Sequence, residues 1–286
     1  MADTASAWGD LFTRIVSAVV MVVVVALALA AGPVVWGLFA LAITLVMFWE
    51  LGPLCEPGLG GFRRIALALS PLLLPAALAT WGAASQPPPG LDGTGPAAQA
   101  MLFRVGAGLA IGLALPPLYG ALTLKSGRLI WAGYSLMVLI GALFLVFAYA
   151  EFGVAGVVAL VIIVALSDIL GYFAGRLIGG PKFWPRVSPK KTWSGTVAGW
   201  IGAGAFGFFV MGQQGAPLFA AAAAIGLALA GQIGDIAESA MKRRAGVKDS
   251  SALIPGHGGF LDRLDALVAA SALAGLLAFA YLGLNP

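Results

Sequence analysis

The run Ile15-Val16-Ser17-Ala18-Val19-Val20-Met21-Val22-Val23-Val24-Val25-Ala26-Leu27-Ala28-Leu29-Ala30-Ala31 carries no charge. It has no polar face to turn toward water, unlike the surface helix of a soluble domain. Its length approaches the roughly 20 apolar residues that cross a bilayer as a helix. It is also long for the apolar part of a signal peptide, and further runs follow, so it reads as a retained first helix. Eight more runs of the same kind lie at Val34–Leu51, Ile65–Trp81, Leu102–Leu118, Leu129–Ala150, Val154–Ile178, Val197–Met211, Pro217–Gly234 and Ala266–Leu284. The expected fold class is an all-α integral membrane protein of about nine transmembrane helices. Residues 1–150 are expected to form about five N-terminal spans. Residues 151–286 are expected to form a C-terminal transmembrane region of about four, with the longer charged loops.

Composition agrees with this. Hydrophobic residues make up 60% of the 286 and charged residues 10%, against about 25% charged in soluble domains. One cysteine, Cys55, excludes an intramolecular disulfide and a Cys-rich zinc site, and one histidine, His257, excludes a multi-histidine metal site. The net charge of +4 reads as topology and not as nucleic-acid binding.

Placing the N-terminus in the cytosol puts fifteen of the sixteen Lys and Arg residues in or beside cytosolic segments, with only Arg104 on the far side. The positive-inside rule therefore sets the orientation, and nine spans put the C-terminus outside. The far-side segment Ser85–Ala100 is rich in Pro, Gly and small residues and reads as a connector. Glu50 reads as a carboxylate near the headgroups at the cytosolic end of the second span.

Polar residues collect in three places. Asp168 lies inside an apolar helix, where a carboxylate is costly and marks a site by default. Tyr172 and Arg176 follow it on one helix face. Gly171, Gly175 and Gly179 make a smooth strip suited to helix packing. The second place is Ser188-Pro189-Lys190-Lys191-Thr192-Trp193, a proline-fixed turn whose lysines and hydroxyls could grip phosphate. A topogenic loop binding anionic headgroups is the equal alternative. The third is Asp235–Asp265, with five acids (Asp235, Glu238, Asp249, Asp262, Asp265) and five bases (Lys242, Arg243, Arg244, Lys248, Arg263). A topogenic loop needs only the bases. Asp235, Glu238, Ser239 and Lys242 share one face of a helix leaving the membrane. Asp262 and Asp265 share one face of the helix re-entering it. Two carboxylate-bearing helix ends can thus face each other around Gly256-His257-Gly258-Gly259. Carboxylate oxygens suit Mg²⁺, and glycines admit an anion close to the backbone. These are parts for chemistry at a phosphoanhydride. His257 is as well explained by a structural role as by a functional one.

The strings Ser239-x-x-Lys242-Arg243, Lys248-Asp249-Ser250, Pro255-x-His257-Gly258-Gly259 and Leu261-Asp262-Arg263-Leu264-Asp265 closely resemble the signature of the phosphatidate cytidylyltransferases, or CDP-diacylglycerol synthases. Asp168, Tyr172 and Gly175-Arg176 resemble that family's upstream element, and Ser188–Trp193 resembles its Ser-Pro-Lys-Lys-Thr loop. Ser194 departs from the acidic residue expected there. The resemblance implies transfer of CMP from CTP to phosphatidic acid within phospholipid biosynthesis, with Mg²⁺ required and a second cation possible. It also implies a homodimer in the bacterial inner membrane with a cytosolic active site. Asp235 and Asp262 then correspond to the metal-binding pair. Asp168, Lys190, Lys191, Lys242 and Arg243 become catalytic candidates. So do Lys248, Asp249, His257, Arg263 and Asp265. Tyr172, Arg176, Ser188, Thr192, Ser239, Gly258 and Gly259 become substrate-binding candidates.

Two other classes compete. A CDP-alcohol phosphotransferase should carry a D-G-x₂-A-R motif, which the sequence lacks. A transporter of anionic solutes predicts polar residues at mid-bilayer on several helices and inverted repeats. Here the ionisable groups crowd one side.

Overall fold

The computed structural model describes residues 2–83 and 96–284. Nearly all of it is helix: α1 (Ala2–Ala30), α2 (Pro33–Cys55), α3 (Gly61–Leu69), α4 (Leu73–Ala83), α5 (Pro96–Thr123), α6 (Arg128–Leu177), α7 (Trp193–Phe209), α8 (Pro217–Ala245) and α9 (Leu261–Leu284). Among the described residues, eight helical segments are long and apolar enough to cross a membrane, and the chain is an integral membrane protein. One segment joins α3, a 3-10 turn at Ser70–Leu72 and α4. Pro71 sits in that turn, where its missing amide costs no α-helical hydrogen bond. The 50-residue α6 is much longer than a bilayer requires. Its backbone leaves helical geometry at Gly153 (φ 62°, ψ −154°), between the two runs read from the sequence as separate spans. The connector read at Ser85–Ala100 falls mostly outside the described residues, but α5 already begins at Pro96.

The chain divides into two compact units. Residues 41–139 form one. Its centre is Trp131, fully buried, edge-on to Phe48 at 5.3 Å and donating through Nε1 to the Pro116 carbonyl at 3.1 Å. A side chain on Gly120 would collide with that indole. Residues 1–40 and 140–286 form the other unit. There Trp36 donates to the Leu145 carbonyl at 3.0 Å and Tyr149 to the Leu29 carbonyl at 2.9 Å. Ile163, Leu227, Ala228 and Ala270 fill the core beside them. Small residues let these helices approach closely, which is how helices associate where lipid is as apolar as leucine.

Glu50 lies in the last turns of α2, which ends at Cys55, and is fully buried by the protein. The helices are accompanied by one short hairpin. Lys182–Trp184 (β1) and Ser188–Thr192 (β2) pair as an antiparallel hairpin, with Lys182 opposite Thr192 and Trp184 opposite Ser188. The segment read as a proline-fixed turn is therefore mostly a strand. Pro189 is tolerated because a two-stranded ribbon has only edges.

Candidate functional site

The C-terminal half of α8 presents Gln232, Asp235, Glu238, Ser239 and Lys242 at helical spacing. The helix stops where Gly246 takes a left-handed conformation (φ 72°), with Gly246 N donating to the Arg243 carbonyl and Val247 N to the Lys242 carbonyl. Helix α9 starts at Leu261 with Asp262 in its first turn, where a carboxylate complements the helix dipole. The two helices meet closely because α8 carries glycine at the contact. A Cβ on Gly234 would stand 2.4 Å from Ala269 Cβ and 2.8 Å from the Asp265 carbonyl oxygen.

This approach gathers three carboxylates. Asp235, Glu238 and Asp265 each offer one oxygen, and these oxygens lie within 4.8 Å of one another. Glu238 is completely buried, and its Oε1 has no hydrogen-bond partner among the described residues. Two lysines supply countercharge. Lys191 forms an ion pair with Asp235. Lys242 Nζ bridges Glu238 Oε2 at 2.5 Å and Asp262 Oδ1 at 2.6 Å. Ser239 donates to Asp235 Oδ1 at 3.4 Å. A set of hard oxygen donors with residual negative charge fits a divalent cation of the Mg²⁺ type.

The resemblance paired Asp235 with Asp262, and the structure also brings Glu238 and Asp265 to Asp235. Asp262 meets that group through Glu238 and the shared Lys242. Its Oδ2 accepts from Ser250 N, Ser250 Oγ and Gly259 N, each at 2.8 Å. Asp262 thus fastens the preceding turn. That turn closes through Ile254 N donating to the Gly258 carbonyl at 2.7 Å and Gly258 N to the Ile254 carbonyl at 3.1 Å. Gly256 and Gly258 have φ of 74° and 85°, a region that side-chain-bearing residues rarely adopt. His257 packs within the turn, with its Nδ1 buried. Ser17 of α1 holds the turn from outside, donating to the Pro255 carbonyl at 2.8 Å.

Beside the carboxylates lies a cavity of about 330 Å³ between α6, β2, α7 and α8. Asp168, Tyr172, Arg176, Lys190, Lys191 and Thr192 line it, as the sequence suggested they would share a site. Arg176 donates to the Tyr172 hydroxyl at 2.7 Å. Asp168 takes no part in that pair and makes no hydrogen bond or ion pair among the described residues. Gly171 and Gly175 are the packing strip expected: α7 passes so close that a Cβ on Gly195 would lie 2.4 Å from the Gly171 carbonyl oxygen. Gly179 instead turns the chain, with φ 67° and open space around it. Thr192 caps α7, accepting from Gly195 N at 3.3 Å. Ser194, the departure from the expected acid, donates to the Gly179 carbonyl at 2.5 Å and ties the first turn of α7 to the segment that follows α6. Ser188 stays in the hairpin, opposite Trp184 and away from the cavity lining.

Arg243, Lys248, Asp249 and Arg263 are exposed and make no ion pair among the described residues. Three contributors escaped the sequence reading. Glu238 was placed on the helix face of Asp235 but left without a role, and the structure sets it within 4.8 Å of Asp235 and Asp265. Gln232 lines the cavity and knots three helices. Its Nε2 donates to Ser167 Oγ at 3.0 Å, and its Oε1 accepts from Trp200 Nε1 at 3.0 Å. Ser167 was likewise unassigned. An amide inside an apolar run was the available signal.

Comparison with known proteins matches residues 12–281 to the model of the cytidylyltransferase family. A phosphatidate cytidylyltransferase of Brucella abortus (strain 2308) is 36% identical over 278 residues, covering 92% of each chain. One from Helicobacter pylori (strain 26695) is 40% identical over 122 residues, 42% of this chain and 46% of its own. One from Haemophilus influenzae is 42% identical over 117 residues, 38% of this chain and 40% of its own.

Proposed function

Because this chain belongs to the cytidylyltransferase family, we propose that it transfers CMP from CTP to phosphatidic acid, giving CDP-diacylglycerol and pyrophosphate. One observation carries the reading beyond the family match. Lys191 lines the cavity and also pairs with Asp235, so the carboxylate group and the base-lined cavity are parts of one site. A lipid phosphate needs a basic pocket at membrane depth, and a triphosphate needs a metal and cations beside it.

In this proposal Asp235, Glu238 and Asp265 hold Mg²⁺, which neutralises triphosphate charge when bound. Asp168 would be an oxygen donor available to a second cation. Lys190, Lys191 and Arg176 receive the phosphate of phosphatidic acid, with Tyr172 orienting Arg176. A phosphate monoester, whose second pKa is about 6, is already a competent nucleophile. Its oxygen attacks the α-phosphorus of CTP, the bond to the β-phosphate oxygen breaks, and pyrophosphate departs. Arg243, Lys248 and Arg263 are free to meet the triphosphate and the leaving group. Asp262 positions Lys242 and the Gly258-Gly259 amides. The protein's contribution is orientation and charge stabilisation, with no covalent intermediate.

We further propose nine spans, α6 being two joined at Gly153, with the N-terminus and the site cytosolic and the C-terminus outside. The distribution of Lys and Arg supports that orientation. The bacterial inner membrane and a homodimer complete the proposal. The test is pyrophosphate release from each of the four nucleoside triphosphates with phosphatidic acid and Mg²⁺. Release is expected with CTP and only when lipid is present. Release with ATP in place of CTP, or with none, overturns the reading.

A further inference from the structure

We propose that the hairpin Lys182–Thr192 is a docking surface for anionic lipid headgroups at the mouth of the cavity, collecting the lipid substrate before it enters. The inference rests on the proposed function for the identity of that substrate.

The hairpin combines two features that soluble loops rarely share. Aromatic side chains on it and next to it are turned outward: Trp184 is 50% exposed, and Trp193, the first residue of α7, packed edge-on against Phe183, is 45% exposed. Leu177 and Ile178, which lead into it from α6, are 81% and 75% exposed. Such a surface suits the bilayer interface, where tryptophan places an apolar ring beside a polar edge. The charge is also of one sign. Lys182, Arg186, Lys190 and Lys191 lie within it, Arg176 of α6 stands beside it, and no Asp or Glu occurs from Ile169 to Gly234. Lys191 is paired with Asp235. Lys182, Arg186 and Lys190 make no ion pair among the described residues.

Strand β2 joins this surface to the cavity. Lys190, Lys191 and Thr192 line the cavity, while Lys182 and Arg186 do not. The cations therefore form a graded path, with the outer pair on the hairpin and the inner pair within the cavity. Each cation near an anionic surface raises local lipid occupancy about fivefold. Neutral lipid gains nothing from the path.

The test places an environment-sensitive fluorophore on Pro185→Cys, since the only other thiol, Cys55, is buried. The protein is reconstituted in nanodiscs of equal phosphatidylglycerol and phosphatidylcholine, with bromine quenchers on one lipid or the other. Quenching by the brominated phosphatidylglycerol is expected to exceed that by phosphatidylcholine several-fold. In Lys182→Gln/Arg186→Gln the excess should vanish. Without the label, the same double variant should raise the KM for phosphatidic acid, as surface mole fraction, about fivefold or more and change the KM for CTP less than twofold. Equal quenching by the two lipids, or an unchanged lipid KM, overturns the proposal. Absence of CTP turnover in the unsubstituted protein contradicts the proposed function instead, and the quenching comparison still decides the docking surface.

Discussion

Two charged clusters in this molecule are built to opposite plans. In the unit of residues 41–139, Glu56 accepts from Arg63 Nη1 at 2.7 Å, from Arg63 Nη2 at 3.3 Å and from Lys125 N at 2.5 Å. Arg63 also donates to the Thr123 carbonyl, and Ser126 to the Cys55 carbonyl at 3.0 Å. Both carboxylate oxygens are served, and nothing is left over to bind. In the other unit, Asp235, Glu238 and Asp265 share two lysines, one of which is also claimed by Asp262. Acids there exceed their partners, and the site adjoins a cavity. A satisfied cluster holds loops together. An under-compensated one beside a cavity is what the proposed function requires, a place for a cation and an anion from outside.

The largest effect should come from the under-compensated cluster. Glu238→Gln and Asp265→Asn should each lower CTP turnover by roughly 10²–10³-fold, the scale on which a single transition-state contact acts. They should also weaken Mn²⁺ binding measured by electron paramagnetic resonance without nucleotide. Normal Mn²⁺ affinity in Glu238→Gln would return the metal role to Asp235 with Asp262. Lys191→Ala comes next. A charge-assisted hydrogen bond is worth about 1.5–3 kcal/mol, so turnover should fall about 10- to 100-fold, with Lys191→Arg retaining part of it. Gln232→Leu should act more weakly. Hydrogen bonds between membrane helices average about 0.6 kcal/mol, so turnover should drop only a few-fold, alongside a measurable loss of thermal stability in detergent.

The smallest effect on turnover belongs to the satisfied cluster. Glu56→Gln should leave CTP turnover within about twofold while lowering thermal stability. The Arg63 hydrogen bond and charge hold the Glu56 carboxyl below its ordinary value near 4.5. A depressed carboxylate stabilises the folded state above its unfolded pKa, and that contribution is lost as the pH falls through the folded one. The stability gap between wild type and Glu56→Gln should therefore close on acidification below pH 4.5. A constant gap would mean that shape, not charge, is what Glu56 supplies.

Most of the architecture was legible because apolar runs are long and lipid tolerates few alternatives. Eight helical segments lie where the runs predicted, and the ninth run is the second half of α6 beyond Gly153. The gathering of Asp168, Tyr172, Arg176, Lys190 and Lys191 around one cavity was legible through the family resemblance, which gave them to one active site. What helical spacing could not reveal was pairing across elements. Whether Asp262 faces Asp235 or Ser250 depends on how a glycine turn closes between α8 and α9, and no period in the sequence encodes that. The hairpin was hidden for a similar reason. Ser-Pro-Lys-Lys-Thr has neither the alternation of a half-buried strand nor a tight-turn dipeptide, and its partner strand has only three residues. The complete burial of Glu50 was not legible, because burial depends on what packs against a helix end, which sequence distance does not show.

The most direct measurement follows the α-phosphate of CTP. Purified protein in nanodiscs with phosphatidic acid and Mg²⁺ is given CTP labelled at that phosphorus, and the lipid fraction is extracted. Label should enter the lipid in the unsubstituted protein and in Glu56→Gln, and should be almost abolished in Asp235→Asn. Label that stays in the aqueous phase, or that enters lipid equally well in Asp235→Asn, would contradict the account.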